Sequence, residues 1–117
     1  MSKIYETSLK GNFPSVNIKY IVSKQGRMVL SPDYRRFKEL IAGMAQAEYK
    51  GEPIETPFSV EISVKTYKDI DNFVKAILDG MEGIVYTNDR NCVALCVSKT
   101  AIKRGQEDEI EITVESK

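Results

Sequence analysis

The stretch Phe58-Ser59-Val60-Glu61-Ile62-Ser63-Val64-Lys65 leads, after Thr66, Tyr67 and Lys68, into Asp69-Ile70-Asp71-Asn72-Phe73-Val74-Lys75-Ala76-Ile77-Leu78-Asp79-Gly80. Its first half alternates apolar and polar residues, the period of a half-buried strand. Its second half changes period. A helix beginning at Asp71 or Asn72 carries Phe73, Val74, Ile77, Leu78 and Met81 as an apolar stripe, and Gly83 is a natural stop. A strand running into a helix with an aspartate-rich junction is the frame on which the rest of the chain hangs.

Downstream, residues 87–91 form a polar loop, and residues 92–97 are apolar on both faces, which suits a central strand. Residues 103–106 turn the chain, and Ile110, Ile112 and Val114 alternate in a last strand. Upstream, Ser31 can cap and Pro32 can open a helix whose buried face is Tyr34, Phe37, Leu40, Ile41, Met44 and Ala45. Residues 50–53 break it. Before it come a strand at 4–9, an alternating strand with Val16, Ile18 and Tyr20, a turn at 24–27 and a short return at 28–30. The order is β-β-β-α-β-α-β-β, an α+β domain with a mixed sheet and two main helices.

The chain has 117 residues, 42% hydrophobic and 29% charged, which is one domain over residues 1–117 with no room for a separate lid. Its longest apolar runs fall far short of the roughly 18 residues needed to cross a bilayer. Residues 1–11 are polar and hold no secretory h-region. With only two cysteines, a cytoplasmic protein with no membrane contact is expected. Cys92 and Cys96 on one strand lie roughly 13 Å apart, too far for a disulfide. There is no histidine, which excludes Ser-His-Asp and Cys-His triads, histidine-metal nucleases and ordinary zinc sites. Catalysis must run on carboxylates, lysine, tyrosine or a hard metal ion.

Formal net charge is zero, but it is unevenly spread. Residues 1–50 hold nine Lys/Arg and four Asp/Glu, whereas residues 51–117 hold eight and thirteen. If divalent cations neutralise Asp69, Asp71, Asp79 and Asp89, the basic half can dominate a DNA-facing surface. Arg27, Arg35, Arg36, Lys38, Lys99, Lys103 and Arg104 are the candidates for phosphate contact.

Asp69 and Asp71 flank one residue at a strand end, so their side chains can converge. Lys75 and Asp79 follow Asp71 at i+4 and i+8 on one helical face. The loop carrying Asp89 is expected to return to the same end. Carboxylates gathered this way repel one another unless cations lie between them, and Mg²⁺ takes oxygen ligands while keeping waters. The chemistry would be phosphodiester hydrolysis, with Lys75 offsetting charge on the phosphorus. The same residues have plain structural uses. Asp71 can be an N-cap, Asp71, Lys75 and Asp79 an ion-pair ladder, and Asp89 a turn former. An EF-hand is excluded, because Phe73 and Val74 occupy positions that need an oxygen ligand and glycine.

The pattern Asp69-Ile70-Asp71-Asn72, Lys75, Asp79, then Asn88-Asp89 and Val93, resembles the RusA family of Holliday junction resolvases, small endonucleases often carried by phages and prophages. Pro14-Ser15-Val16-Asn17 is similar to an element after that family's first strand, and residues 103–114 match its late turn and final strand. The resemblance implies a homodimer, dependence on Mg²⁺ or Mn²⁺, and paired nicks in four-way junction DNA during recombination and repair. It implies metal binding by Asp69, Asp71 and Asp89, and a catalytic role for these three and Lys75. The chain departs from the family pattern at Asn88, where the family has aspartate, so the metal role falls to Asp89 and Asp79 stands behind the ligands. A two-fold dimer fits the task, since a four-way junction is cut at two symmetry-related phosphates. Two other readings stand beside it: a catalytically lapsed DNA-binding or structural accessory protein of a mobile element, and a nuclease acting on flaps or single strands.

Overall fold

The computed structural model describes residues 2–13 and 20–117. The strands are β1 (Lys3–Gly11), β2 (Tyr20–Val22), β3 (Met28–Leu30), β4 (Phe58–Thr66), β5 (Cys92–Ala101) and β6 (Asp108–Ser116). The helices are α1 (Pro32–Glu48) and α2 (Asp71–Met81), with a short 3-10 turn at Asp89–Asn91. This is the α+β order expected from the sequence. Pro14, Ser15, Val16, Asn17 and Ile18 lie outside the described residues, so the element and the start of the strand placed there do too.

The main sheet has the order β1-β6-β4-β5. β6 runs antiparallel to both β1 and β4, and β5 runs parallel to β4, so the sheet is mixed. β2 and β3 form a separate antiparallel ribbon. Alternation in β4 points Phe58, Val60, Ile62 and Val64 into the core, level with Ile110, Ile112 and Val114 of β6. Glu61, Lys65 and Glu111 cover the outer face. Each fully buried aliphatic side chain of this row contributes about 1.5–3 kcal/mol relative to exposure.

Both helices supply this core. α1 begins where Ser31 accepts a hydrogen bond from the Tyr34 amide at 3.2 Å. It buries Tyr34, Phe37, Ile41 and Ala45, while Leu40 stays 41% exposed. α2 buries Phe73, Ala76, Ile77, Gly80 and Met81. Gly80 is needed for the close approach of the helices: a Cβ there would lie 2.8 Å from Ile41 Cβ and 2.9 Å from the Lys38 carbonyl. Phe37 and Phe73 meet edge to face at 5.0 Å between centroids. No described helix is long and apolar enough to cross a membrane.

β5 departs from the expectation. It is an edge strand, not a central one. Leu95 and Val97 stand level with buried Val60 and Ile62, yet Leu95 is 46% exposed. Buried residues of the helices and of β4 share one core cluster, to which β5 adds only the partly buried Cys92 and Val97. An apolar strand reads the same whether its cover comes from its own chain or from outside it.

Candidate active site

β4, α2 and β5 form a β-α-β unit, and its parallel strands fix where each aspartate falls. Asp69 lies three residues beyond the end of β4, and Asp71 is the first residue of α2. Both are exposed, as is Lys75 one helical turn on. The N-cap residue is Ile70, which offers no side-chain cap. The positive end of the helix dipole is thus left to favour the carboxylates beside it. Among the described residues, the side chains of Asp69, Asp71 and Lys75 make no hydrogen bond or ion pair. The surface ladder that Asp71 and Lys75 could have formed is not there.

The segment that carries Asp69 is pinned from beneath by residues that the sequence reading passed over. Lys68 Nζ bonds Asp108 Oδ2 at 2.5 Å and donates to the Phe13 carbonyl at 2.6 Å. The Lys68 amide also donates to Thr66 Oγ1 at 3.1 Å. The Lys68 side chain is 10% exposed and that of Asp108 1%. The signal was present: Asp108 falls two residues before Ile110 on the inward row of the last strand, where an aspartate needs a partner. Tyr67 lies alongside, its ring 5.0 Å from Lys68 Nζ and 5.8 Å from the Arg104 guanidinium carbon. Lys99, at the far end of β5, and Lys103 and Arg104 in the turn that follows bring positive charge to the end of the sheet that holds Asp69.

Asp89 is at the other end. It precedes β5, whose start pairs with the start of β4, so the length of α2, about 16 Å, separates it from Asp71. The expectation that its loop returns to Asp69 and Asp71 within one chain is corrected by this parallel pairing. Among the described residues, no three carboxylates come together as a metal-binding group. The Asp89 amide donates to Glu82 Oε2 at 2.8 Å, while its own carboxylate makes no hydrogen bond or ion pair among the described residues. Asn88 caps the 3-10 turn, accepting from the Arg90 amide at 3.0 Å. Asp79 accepts from the Tyr34 hydroxyl at 2.5 Å and so ties α1 to α2. Burial first, then the negative charges of Asp89, Cys92, Glu82 and Asp79, hold the Tyr86 phenol far above its ordinary range. That proton is donated to the Leu78 carbonyl at 2.6 Å.

The donor set suits a hard cation in part. Asp69 and Asp71 offer oxygen ligands two residues apart on one exposed edge, which is the number of carboxylates by which Mg²⁺ is commonly held beside a phosphate.

Comparison with protein families matches residues 13–115 to Endodeoxyribonuclease RusA. The chain belongs to the RusA endodeoxyribonuclease family. No curated protein matches it.

Proposed function

We propose that the protein is a divalent-metal-dependent endonuclease that resolves four-way DNA junctions as a homodimer, in recombination and repair. The observation that carries this reading is the set Asp69, Asp71 and Lys75 on one exposed edge, without hydrogen bond or ion pair among the described residues, with Lys99, Lys103 and Arg104 at the same end of the sheet. Asp69, Asp71 and Asp89 are its metal ligands. A bound Mg²⁺ or Mn²⁺ would supply an activated water and neutralise charge on the scissile phosphate.

The chain's own groups do the rest. Lys68, clamped to Asp108, holds the β4–α2 junction so that Asp69 and Asp71 keep one geometry. Lys75 places a positive charge beside them to meet the charge that develops on phosphorus. The basic turn at 103–104 anchors the DNA backbone. Asp89 reaches the Asp69 end only from a second copy that runs in the opposite direction, and a two-fold dimer would then hold two equal sites for two paired cuts.

The test is incubation of labelled four-way junction with and without Mg²⁺, beside linear duplex and flap controls. Paired, Mg²⁺-dependent nicks in the junction alone are expected. Binding without cleavage would favour the lapsed accessory protein, and equal cutting of flaps would remove junction specificity.

A further inference from the structure

The ribbon of β2 and β3 stands apart from the main sheet and supplies none of the metal ligands assigned above. Its registered pairs are Tyr20–Leu30, Ile21–Val29 and Val22–Met28. No member of these pairs is charged, so neither face of the ribbon has a charged cover. Leu30, at its base, packs against the core. The other five are exposed, Val22 to 68% and Met28 to 71%. A two-stranded ribbon is marginal by itself in water. Apolar surface gathered and exposed in this way marks a place that something else covers.

The turn shows what kind of partner fits. Residues 20–32 hold two cations, Lys24 and Arg27, and no acid. Both are exposed, and among the described residues neither side chain forms an ion pair. The Ser23 amide donates to the Arg27 carbonyl at 2.7 Å and the Gly26 amide to the Ser23 carbonyl at 2.9 Å. The Arg27 amide donates to Ser23 Oγ at 3.2 Å, and Gly26 takes a φ of 77°, which favours glycine. Two positive charges thus sit on a closed tip at the end of an apolar ribbon. That combination complements a polyanion that also offers flat apolar faces. DNA has both, but a linear duplex hides its base faces by stacking and shows phosphate outside. Base faces come free where stacking is interrupted, at a branch point. We propose that the β2–β3 ribbon is an arm that reads the branch point of the DNA. Lys24 and Arg27 hold phosphates, while Tyr20, Val22 and Met28, on one face by register, cover unstacked bases. Such an arm gains nothing from a linear duplex, so it confers preference for branched DNA. The choice of DNA rests on the endonuclease reading; the bare ribbon and its charges do not.

The test uses the full chain in EDTA, with a four-way junction carrying 2-aminopurine at the branch point or, as a control, inside one arm. This base fluoresces more strongly when unstacked. Wild type is expected to brighten the branch-point probe alone. Val22→Ser/Met28→Ser changes the two most exposed positions of the ribbon and should keep the wild-type circular dichroism. It should lose the brightening and bind the junction about tenfold more weakly, the size of one lost stacking contact, with duplex affinity unchanged. Lys24→Ala/Arg27→Ala should weaken binding to both DNAs and lower the salt slope by about two. A wild type that leaves the branch-point probe dark, a serine variant that binds and brightens as wild type does, or an unchanged salt slope overturns the proposal. So does a serine variant that only changes the sedimentation of the protein, which gives the ribbon to a second copy. One that loses only binding to phosphatidylserine vesicles gives it to a membrane. If the serine variant misfolds, the salt slope decides. Mg²⁺ is then added and cleavage followed. Brightening without any cutting would sink the endonuclease reading and leave the arm standing, whereas equal cutting and brightening by the serine variant would remove the arm and leave the reading.

Discussion

The two ends of α2 hold carboxylates under opposite conditions. At its start, Asp69 and Asp71 are exposed and make no hydrogen bond or ion pair among the described residues. At its finish, Asp79 is bound to the Tyr34 hydroxyl and Glu82 to the Asp89 amide. The second pair is engaged in holding the fold, and the first is engaged by nothing among the described residues. Two exposed acids kept side by side without partners among the described residues are mutually repulsive, and a cation is what would relieve them. Asp89 belongs to the first kind by its idle carboxylate, although it lies at the second end.

The largest expected effect separates the two ends. Asp71→Asn should reduce single-turnover cleavage of a four-way junction to background while junction binding persists and the melting temperature holds. Normal cleavage at saturating Mg²⁺ would remove Asp71 from the site. Next, Lys75→Ala should slow cleavage by about 10²–10³-fold, the loss typical of one well-placed donor. As an exposed residue without a partner among the described residues, it should change stability by no more than about 0.5 kcal/mol. Lys75→Arg should not restore the rate, because a guanidinium carries its charge in a different geometry. A wild-type rate in Lys75→Ala would make it a surface charge.

The buried lysine should behave in the opposite way. Lys68→Met removes the cation from the buried Asp108 and leaves it the Phe13 amide at 3.2 Å, and urea melts should show a loss of about 3–5 kcal/mol. A loss below 1 kcal/mol would mean that this pair does not anchor the Asp69 segment. The smallest effect belongs to the far end of α2. Asp79→Ala removes the bond from Tyr34 and should cost about 1.5–3 kcal/mol, with cleavage retained at a temperature where the variant is folded. Loss of cleavage in a folded Asp79→Ala would erase the distinction between the two ends.

The strand and helices around the site were legible because their periods are clean: β4 alternates over its whole length, and α2 places its apolar residues at helical spacing. The junction aspartates and Lys75 were legible for the same reason, since spacing along one strand and one helix determines where they fall. Two matters were not read. The edge position of β5 is invisible in an apolar run, which looks alike for a strand buried by its own chain and one left bare. The separation of Asp89 from Asp71 could have been read, because a helix between two neighbouring strands makes them parallel and sends the two loops to opposite ends. The clamp of Lys68 on Asp108 joins residues 40 apart. Only the inward row of β6, extended back by two residues, hinted at it.

The claim on which the account turns is that Asp69 and Asp71 of one copy work with Asp89 of another. Mixing Asp71→Asn with Asp89→Asn tests it most directly, once mass spectrometry shows that mixed dimers have formed. In a mixed dimer with shared sites, one site collects both substitutions and the other collects neither. The account predicts that two preparations inactive alone recover together the ability to nick one strand of a four-way junction. A mixture as inactive as its parts, with mixed dimers present, would contradict it and return every site to a single chain.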